Sequence, residues 1–132
     1  MESAISMTVE ILLVDDNAIQ TATRKAILSR LGRHVTVAPD AAGALETLAG
    51  AAPRSVGLVI TDHLMPGMNG PEFVTELRRL YPDLPVLVLS GMADAEDDYA
   101  DLEVIFRVKP LPPEELLALV RQLLSEPIGR TA

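Results

Sequence analysis

The chain has 132 residues, 48% of them hydrophobic and 23% charged, which describes one globular domain with an ordinary core. Cysteine is absent and there are only two histidines, which excludes a disulfide framework, thiol catalysis and a thiolate zinc site. Eleven basic residues stand against nineteen acidic ones; at a net charge of −8 the surface repels nucleic acid phosphates and anionic lipid, so neither is an expected partner. No apolar run approaches the roughly 20 residues that span a bilayer. No basic segment followed by a long apolar stretch opens the sequence, so a cytoplasmic location is expected.

Residues 1–8 read as a short lead-in. Glu10 to Val14 is a strand whose unbroken hydrophobicity suits burial on both faces, as in a parallel sheet. Asn17 to Leu31 reads as a helix with apolar positions Ile19, Ala22, Ala26, Ile27 and Leu31, stopped by Gly32. His34 to Val37 alternates like a sheet-edge strand, with His34 a surface residue. Asp40 is a candidate N-cap for a helix carrying Ala41, Leu45, Leu48 and Ala49, broken by the Gly50–Ser55 stretch with its Pro53. Val56 to Ile60 is a third strand, ending at Thr61-Asp62.

After a loop with Pro66, Gly67 and Gly70, Pro71 suits the first turn of a helix turning Phe73, Val74, Leu77 and Leu80 inward, closed by Pro82. Pro85 to Leu89 is the fourth strand and stops at Ser90-Gly91. Met92 to Asp101 is acidic and weakly amphipathic, a short or irregular helix. Val104 to Val108 is the fifth strand. Pro112 or Pro113 then opens a helix with Leu116, Leu117, Val120, Leu123 and Leu124, expected to end before Pro127. The domain is therefore placed at residues 9–125, with 126–132 a tail. Five strand–helix units give an α/β doubly wound parallel sheet.

In such a sheet the strand C-termini converge on one edge, and ligands bind there. Asp15-Asp16, Asp62, Ser90 and Lys109-Pro110 each end an apolar run. Two unit charges about 4 Å apart repel by about 1 kcal/mol in water and about 4 kcal/mol at an effective dielectric near 20. Three carboxylates at one edge thus call for a cation, and Mg²⁺ suits carboxylates, a carbonyl and waters. Taken singly, each residue has a plainer role: Asp caps helices, Ser caps turns and Lys is solvated. Together they supply a carboxylate nucleophile, a metal site, a hydroxyl and an ammonium, the equipment of phosphoryl transfer.

Asp15-Asp16, the run Asp62-His63-Leu64-Met65-Pro66-Gly67-Met68-Asn69-Gly70, Ser90, and Phe106-Arg107-Val108-Lys109-Pro110 resemble the receiver domain of two-component response regulators (CheY-like, flavodoxin-like). The resemblance covers roughly residues 9–125 and implies strand order 2-1-3-4-5 with helices on both faces. It implies Asp62 as phosphoacceptor; Asp16 as a direct Mg²⁺ ligand, Asp15 as one acting mainly through water, with Asp62 and the Leu64 carbonyl completing the metal site; and Lys109 as the phosphoryl contact, with Lys109-Pro110 cis. Ser90 and Phe106 become a switch pair, the hydroxyl moving toward the phosphoryl group and the ring following inward. The donor is then a sensor histidine kinase or histidine phosphotransfer protein docking near the first helix. Output passes to a downstream protein target, and a homodimer is an open option.

The sequence departs from the family pattern in places. Ser90 stands where Thr is commoner, Gly91 where Ala is usual, and the acidic stretch before Lys109 is short, so a relative's dimer mode does not carry over. Leu64 and Met92, two beyond Asp62 and Ser90, are apolar and expected to hinder the water that would hydrolyse the acyl phosphate. His63 adjoins the acceptor, but its side chain should point to the other face. Met65 and Met68 read as loop packing. The alternative function is a receiver-like binding module that is never phosphorylated; the intact site argues against it. A phosphatase with an Asp nucleophile would want an Asp-x-Asp pair at the first strand, which Asp15-Asp16-Asn17 does not supply.

Overall fold

A computed structural model of the chain describes residues 10–50 and 56–131, with side chains to residue 124. The lead-in and the break around Pro53 lie outside the described residues. Five parallel strands, β1 (Glu10–Val14), β2 (Val35–Ala38), β3 (Val56–Asp62), β4 (Val86–Ser90) and β5 (Ile105–Val108), form one sheet in the order β2-β1-β3-β4-β5. The helices are α1 (Ala18–Leu28), α2 (Ala41–Gly50), α3 (Gly70–Leu80) and α4 (Pro113–Thr131), with a 3₁₀ segment Ala93–Tyr99 between β4 and β5. The fold class and strand order are those expected from the sequence.

Alternate strand residues feed two cores. Leu12, Val14, Val59, Val86, Val88 and Phe106 face α2, α3 and the 3₁₀ segment. Ile11, Leu13, Leu58, Ile60, Leu87 and Leu89 face α1 and α4. The central strands are thus apolar on both faces, which is why their sequence runs are continuous rather than alternating.

Local chemistry sets the helix ends. The Asn17 side chain accepts from the Gln20 backbone and opens α1, and Gly32 closes the following 3₁₀ turn with a φ of 74°. Asp40 accepts from Gly43 N at 2.7 Å at the start of α2. Asn69 and Glu72 form a reciprocal capping box, with Pro71 in the first turn of α3.

Four expectations need correction. Ile19 is 79% exposed, and Ala22 and Ala26 are exposed as well; the inward stripe of α1 runs instead through Thr21, Arg24 and Leu28. Ala44 rather than Ala49 faces the core from α2. Leu80, at the last turn of α3, is 44% exposed. Finally, α4 continues through Pro127 to Thr131, so the boundary at residue 125 is not a helix end. A proline within a helix removes one donor and disturbs one turn without obliging the helix to stop.

Candidate phosphoryl-transfer site

The chain reverses direction across the sheet between β1 and β3, and the crevice at that switch point holds the acids. Asp15 follows β1 and Asp62 ends β3; both are buried, while Asp16 is exposed. A carboxylate oxygen from each lies within 4.8 Å of the others. Lys109, just past β5, places its Nζ 3.0 Å from Asp62 Oδ1 and 3.4 Å from Gln20 Oε1. The Lys109-Pro110 peptide is cis.

Burial first, and the neighbouring Asp62 carboxylate next, push the Asp15 carboxyl up to about 6. The nearby Arg24 guanidinium and a hydrogen bond from Asn17 N pull the other way without reversing the shift. An acid strained toward protonation, beside two more acids at the mouth of a crevice, is a donor set that a hard divalent cation fits: all oxygen, with one exposed member to receive it.

Arg24 is the site residue that sequence reasoning missed. Its Nη1 lies 2.8 Å from Asp15 Oδ2 and 3.6 Å from Asp62 Oδ1, with the side chain only 13% exposed. The signal was available: Arg24 sits four residues before the buried Leu28, on the stripe of α1 that faces the sheet.

Ser90 lies at the same edge, at the end of β4, but its Oγ is engaged with its own loop, 2.9 Å from Met92 N and 3.2 Å from Met92 O. Phe106 is buried against Tyr99, with ring centroids 5.9 Å apart. The ring is buried and the hydroxyl is held by the loop. Phe106, the expected switch partner of Ser90, thus packs against Tyr99, the last residue of the 3₁₀ segment.

His63 points away from the acids, as expected, and its Nδ1 shares a 2.6 Å hydrogen bond with the Tyr99 hydroxyl. Burial, then the Asp98 and Asp62 charges, push the Tyr99 phenol far above its ordinary value, so it stays protonated. Gly70 makes this approach possible: a Cβ there would collide with the Tyr99 hydroxyl and come within 3.0 Å of the His63 carbonyl. Leu64 and Met92 are 66% and 46% exposed, and Met65 and Met68 pack against the core as loop residues.

A doubly wound parallel sheet with an acid cluster and a lysine at its carboxyl edge defines a phosphoryl-handling switch module. The family model of the response regulator receiver domain matches residues 11–121. The response regulator MprA of Mycobacterium sp. (strain KMS) is 36% identical over 121 residues, covering 89% of this chain and 51% of that protein. A receiver domain of an HD domain-containing protein from Pseudomonas fluorescens Pf-5 superposes with a TM-score of 0.81 at 31% identity, covering 89% of this chain and 95% of that one. A response regulator receiver protein from Pseudomonas putida gives 0.78 at 30% identity, over 86% of this chain and 96% of that one.

The chain belongs to the response regulator receiver domain family, whose members act in phosphorylation-dependent two-component signalling. It spans about half the length of the curated relatives it matches. Among the described residues, no helix is long and apolar enough to cross a membrane.

Proposed function

We propose that Asp62 accepts a phosphoryl group from the phosphohistidine of a sensor histidine kinase or histidine phosphotransfer protein. The observation that carries this reading is the Lys109 ammonium 3.0 Å from Asp62 Oδ1, beside two further acids at one sheet edge. A carboxylate oxygen of Asp62 attacks phosphorus and forms an acyl phosphate. The phosphorus–nitrogen bond breaks, its electron pair leaves with the donor imidazole, and that ring takes up a proton.

Asp16, Asp62 and the Leu64 carbonyl, with Asp15 acting mainly through water, are the residues that would hold Mg²⁺. When bound, that ion neutralises charge shared between acceptor and phosphoryl oxygens. Lys109 pairs with a second phosphoryl oxygen. Ser90 Oγ exchanges its loop bond at Met92 for a third, with Phe106 as its partner in the switch. The domain thus catalyses its own phosphoryl transfer and dephosphorylation without being a metabolic enzyme.

The phosphoryl group brings about −1.5 to −2 charges and three acceptor oxygens, and it biases only conformations that contact it differently. The donor docks beside α1, where the exposed Ile19 borders an open groove of about 590 Å³ that also reaches Lys109 and Pro110. Output in the cytoplasm passes by protein–protein contact to a downstream target, which suits a net charge of −8 better than DNA binding does.

Intact mass after incubation with acetyl phosphate, with and without Mg²⁺, tests the reading beside an Asp62→Asn control. One added phosphoryl group, dependent on Mg²⁺ and absent from the control, is expected. No addition to the folded protein would instead favour a phosphorylation-independent binding module.

A further inference from the structure

The acid crevice contains a cation of its own. Arg24 rises from the inward stripe of α1, between Thr21 and Leu28, so its stem is packed and its guanidinium is delivered to the carboxylates rather than to solvent. Both oxygens of Asp15 are engaged: Oδ1 accepts from Asn17 N at 2.9 Å and Oδ2 from Arg24 Nη1 at 2.8 Å. Asp62 Oδ1 lies between two cations, Lys109 Nζ at 3.0 Å and Arg24 Nη1 at 3.6 Å. Lys109 approaches from β5, on the side where a phosphoryl group would be held. Arg24 instead lies between Asp15 and Asp62, two of the three acids of the cluster.

We propose that Arg24 is a built-in competitor of the divalent cation: its guanidinium ties Asp15 to Asp62 and must give up Asp15 Oδ2 before a water carried by the metal can take it. This rests on the reading of the crevice as a metal site. Three carboxylates against one lysine would leave a strongly attractive pocket for a divalent ion; adding Arg24 removes one of the two net negative charges and occupies the carboxylate oxygen that a metal-held water would use. A metal ion therefore has to displace a charge-assisted hydrogen bond as well as shed water. Arg24 also lines the groove beside α1, which gives the displaced side chain a place to go. The consequence is a domain that loads metal only at higher concentration.

The test is a titration with Mn²⁺ alone, an oxygen-loving octahedral ion, reading free ion by electron paramagnetic resonance in the absence of any phosphodonor. Wild type, Arg24→Met and Arg24→Gln are compared, with circular dichroism establishing that each is folded, and Asp16→Asn serving as the weakened-site control. Arg24→Met and Arg24→Gln are expected to bind at least about tenfold tighter than wild type. If one replacement fails to fold, the other is read alone. Equal or weaker binding by the folded variants, with Asp16→Asn still weakened, overturns the proposal and leaves the metal site standing. Absence of Mn²⁺ binding in every protein, wild type included, overturns both.

Discussion

Two arginines, at opposite edges of the sheet, show how partner chemistry decides what a half-buried cation does. At the carboxyl edge Arg24 faces the carboxylates of Asp15 and Asp62. At the amino edge Arg78 of α3 faces backbone carbonyls: Nε reaches Leu102 O at 2.7 Å, Nη1 reaches Leu84 O at 2.7 Å and Nη2 reaches Glu103 O at 3.1 Å. Those carbonyls belong to the segments entering β4 and β5, where Asp101 and Glu103 adopt φ values of 71° and 56°. Arg78 thereby holds a short connection in backbone conformations that non-glycine residues seldom take. Carbonyls cannot be claimed by a phosphoryl group or attract a divalent ion strongly on their own. Carboxylates can, so the Arg24 edge is chemically exchangeable while the Arg78 edge is fixed.

The sharpest way to break that contrast is to remove the fixed arginine. Arg78→Met should destabilise the domain by about 3 kcal/mol, because a charged donor set is lost and carbonyls are left without partners. Urea unfolding should give the same loss with and without Mg²⁺. A loss that Mg²⁺ repairs would show that the two edges are not distinct.

The exchangeable edge should be the one that responds to pH. The Asp15 carboxyl is raised from 3.8 to about 6 in the folded chain, so between those values the folded state binds more protons than the unfolded one. Stability from this group is therefore fully present below about 4 and is lost as pH rises toward 6, by on the order of 2 kcal/mol. In metal-free buffer the wild-type melting temperature should carry that fall, and Asp15→Asn should remove it. Saturating Mg²⁺ should flatten the wild-type profile too, since the ion favours the ionised form. A profile unchanged by Asp15→Asn would assign the slope elsewhere.

The smallest effect on stability belongs to the rim of the crevice. Leu64 is 66% exposed, so Leu64→Asn should shift stability by no more than about 0.5 kcal/mol. It should nevertheless speed loss of the phosphoryl group, because an amide can orient the water that an isobutyl group excludes. Following phosphoprotein decay by intact mass checks this, and an unchanged decay rate would remove Leu64 as a barrier.

The fold was legible because the central strands are buried on both faces and so announce themselves as continuous apolar runs: residues 10–14, 56–60 and 85–89 in the sequence became β1, β3 and β4 within two residues. Asp15, Asp62, Ser90 and Lys109 were legible for a related reason, since parallel strands deliver their ends to one edge. What escaped were the residues whose meaning depends on contacts far along the chain. Arg24 was hidden because the face of α1 was judged by its apolar residues, and Ile19, Ala22 and Ala26 turned out to face solvent. The His63–Tyr99 bond spans 36 positions and the Arg78–Leu102 bond 24, and no local pattern encodes either. The course of α4 past Pro127 was missed because a proline was read as a terminator rather than as one lost donor.

The most direct measurement locates the acyl phosphate. Protein treated with acetyl phosphate and Mg²⁺ is reduced with borohydride, which converts a phosphorylated aspartate to homoserine, and is then mapped by tandem mass spectrometry. Homoserine at position 62 alone is the expected result, with none when Mg²⁺ is withheld. Homoserine at Asp15 or Asp16, or at no position in a folded and Mg²⁺-loaded protein, would contradict the assignment of Asp62 as the acceptor.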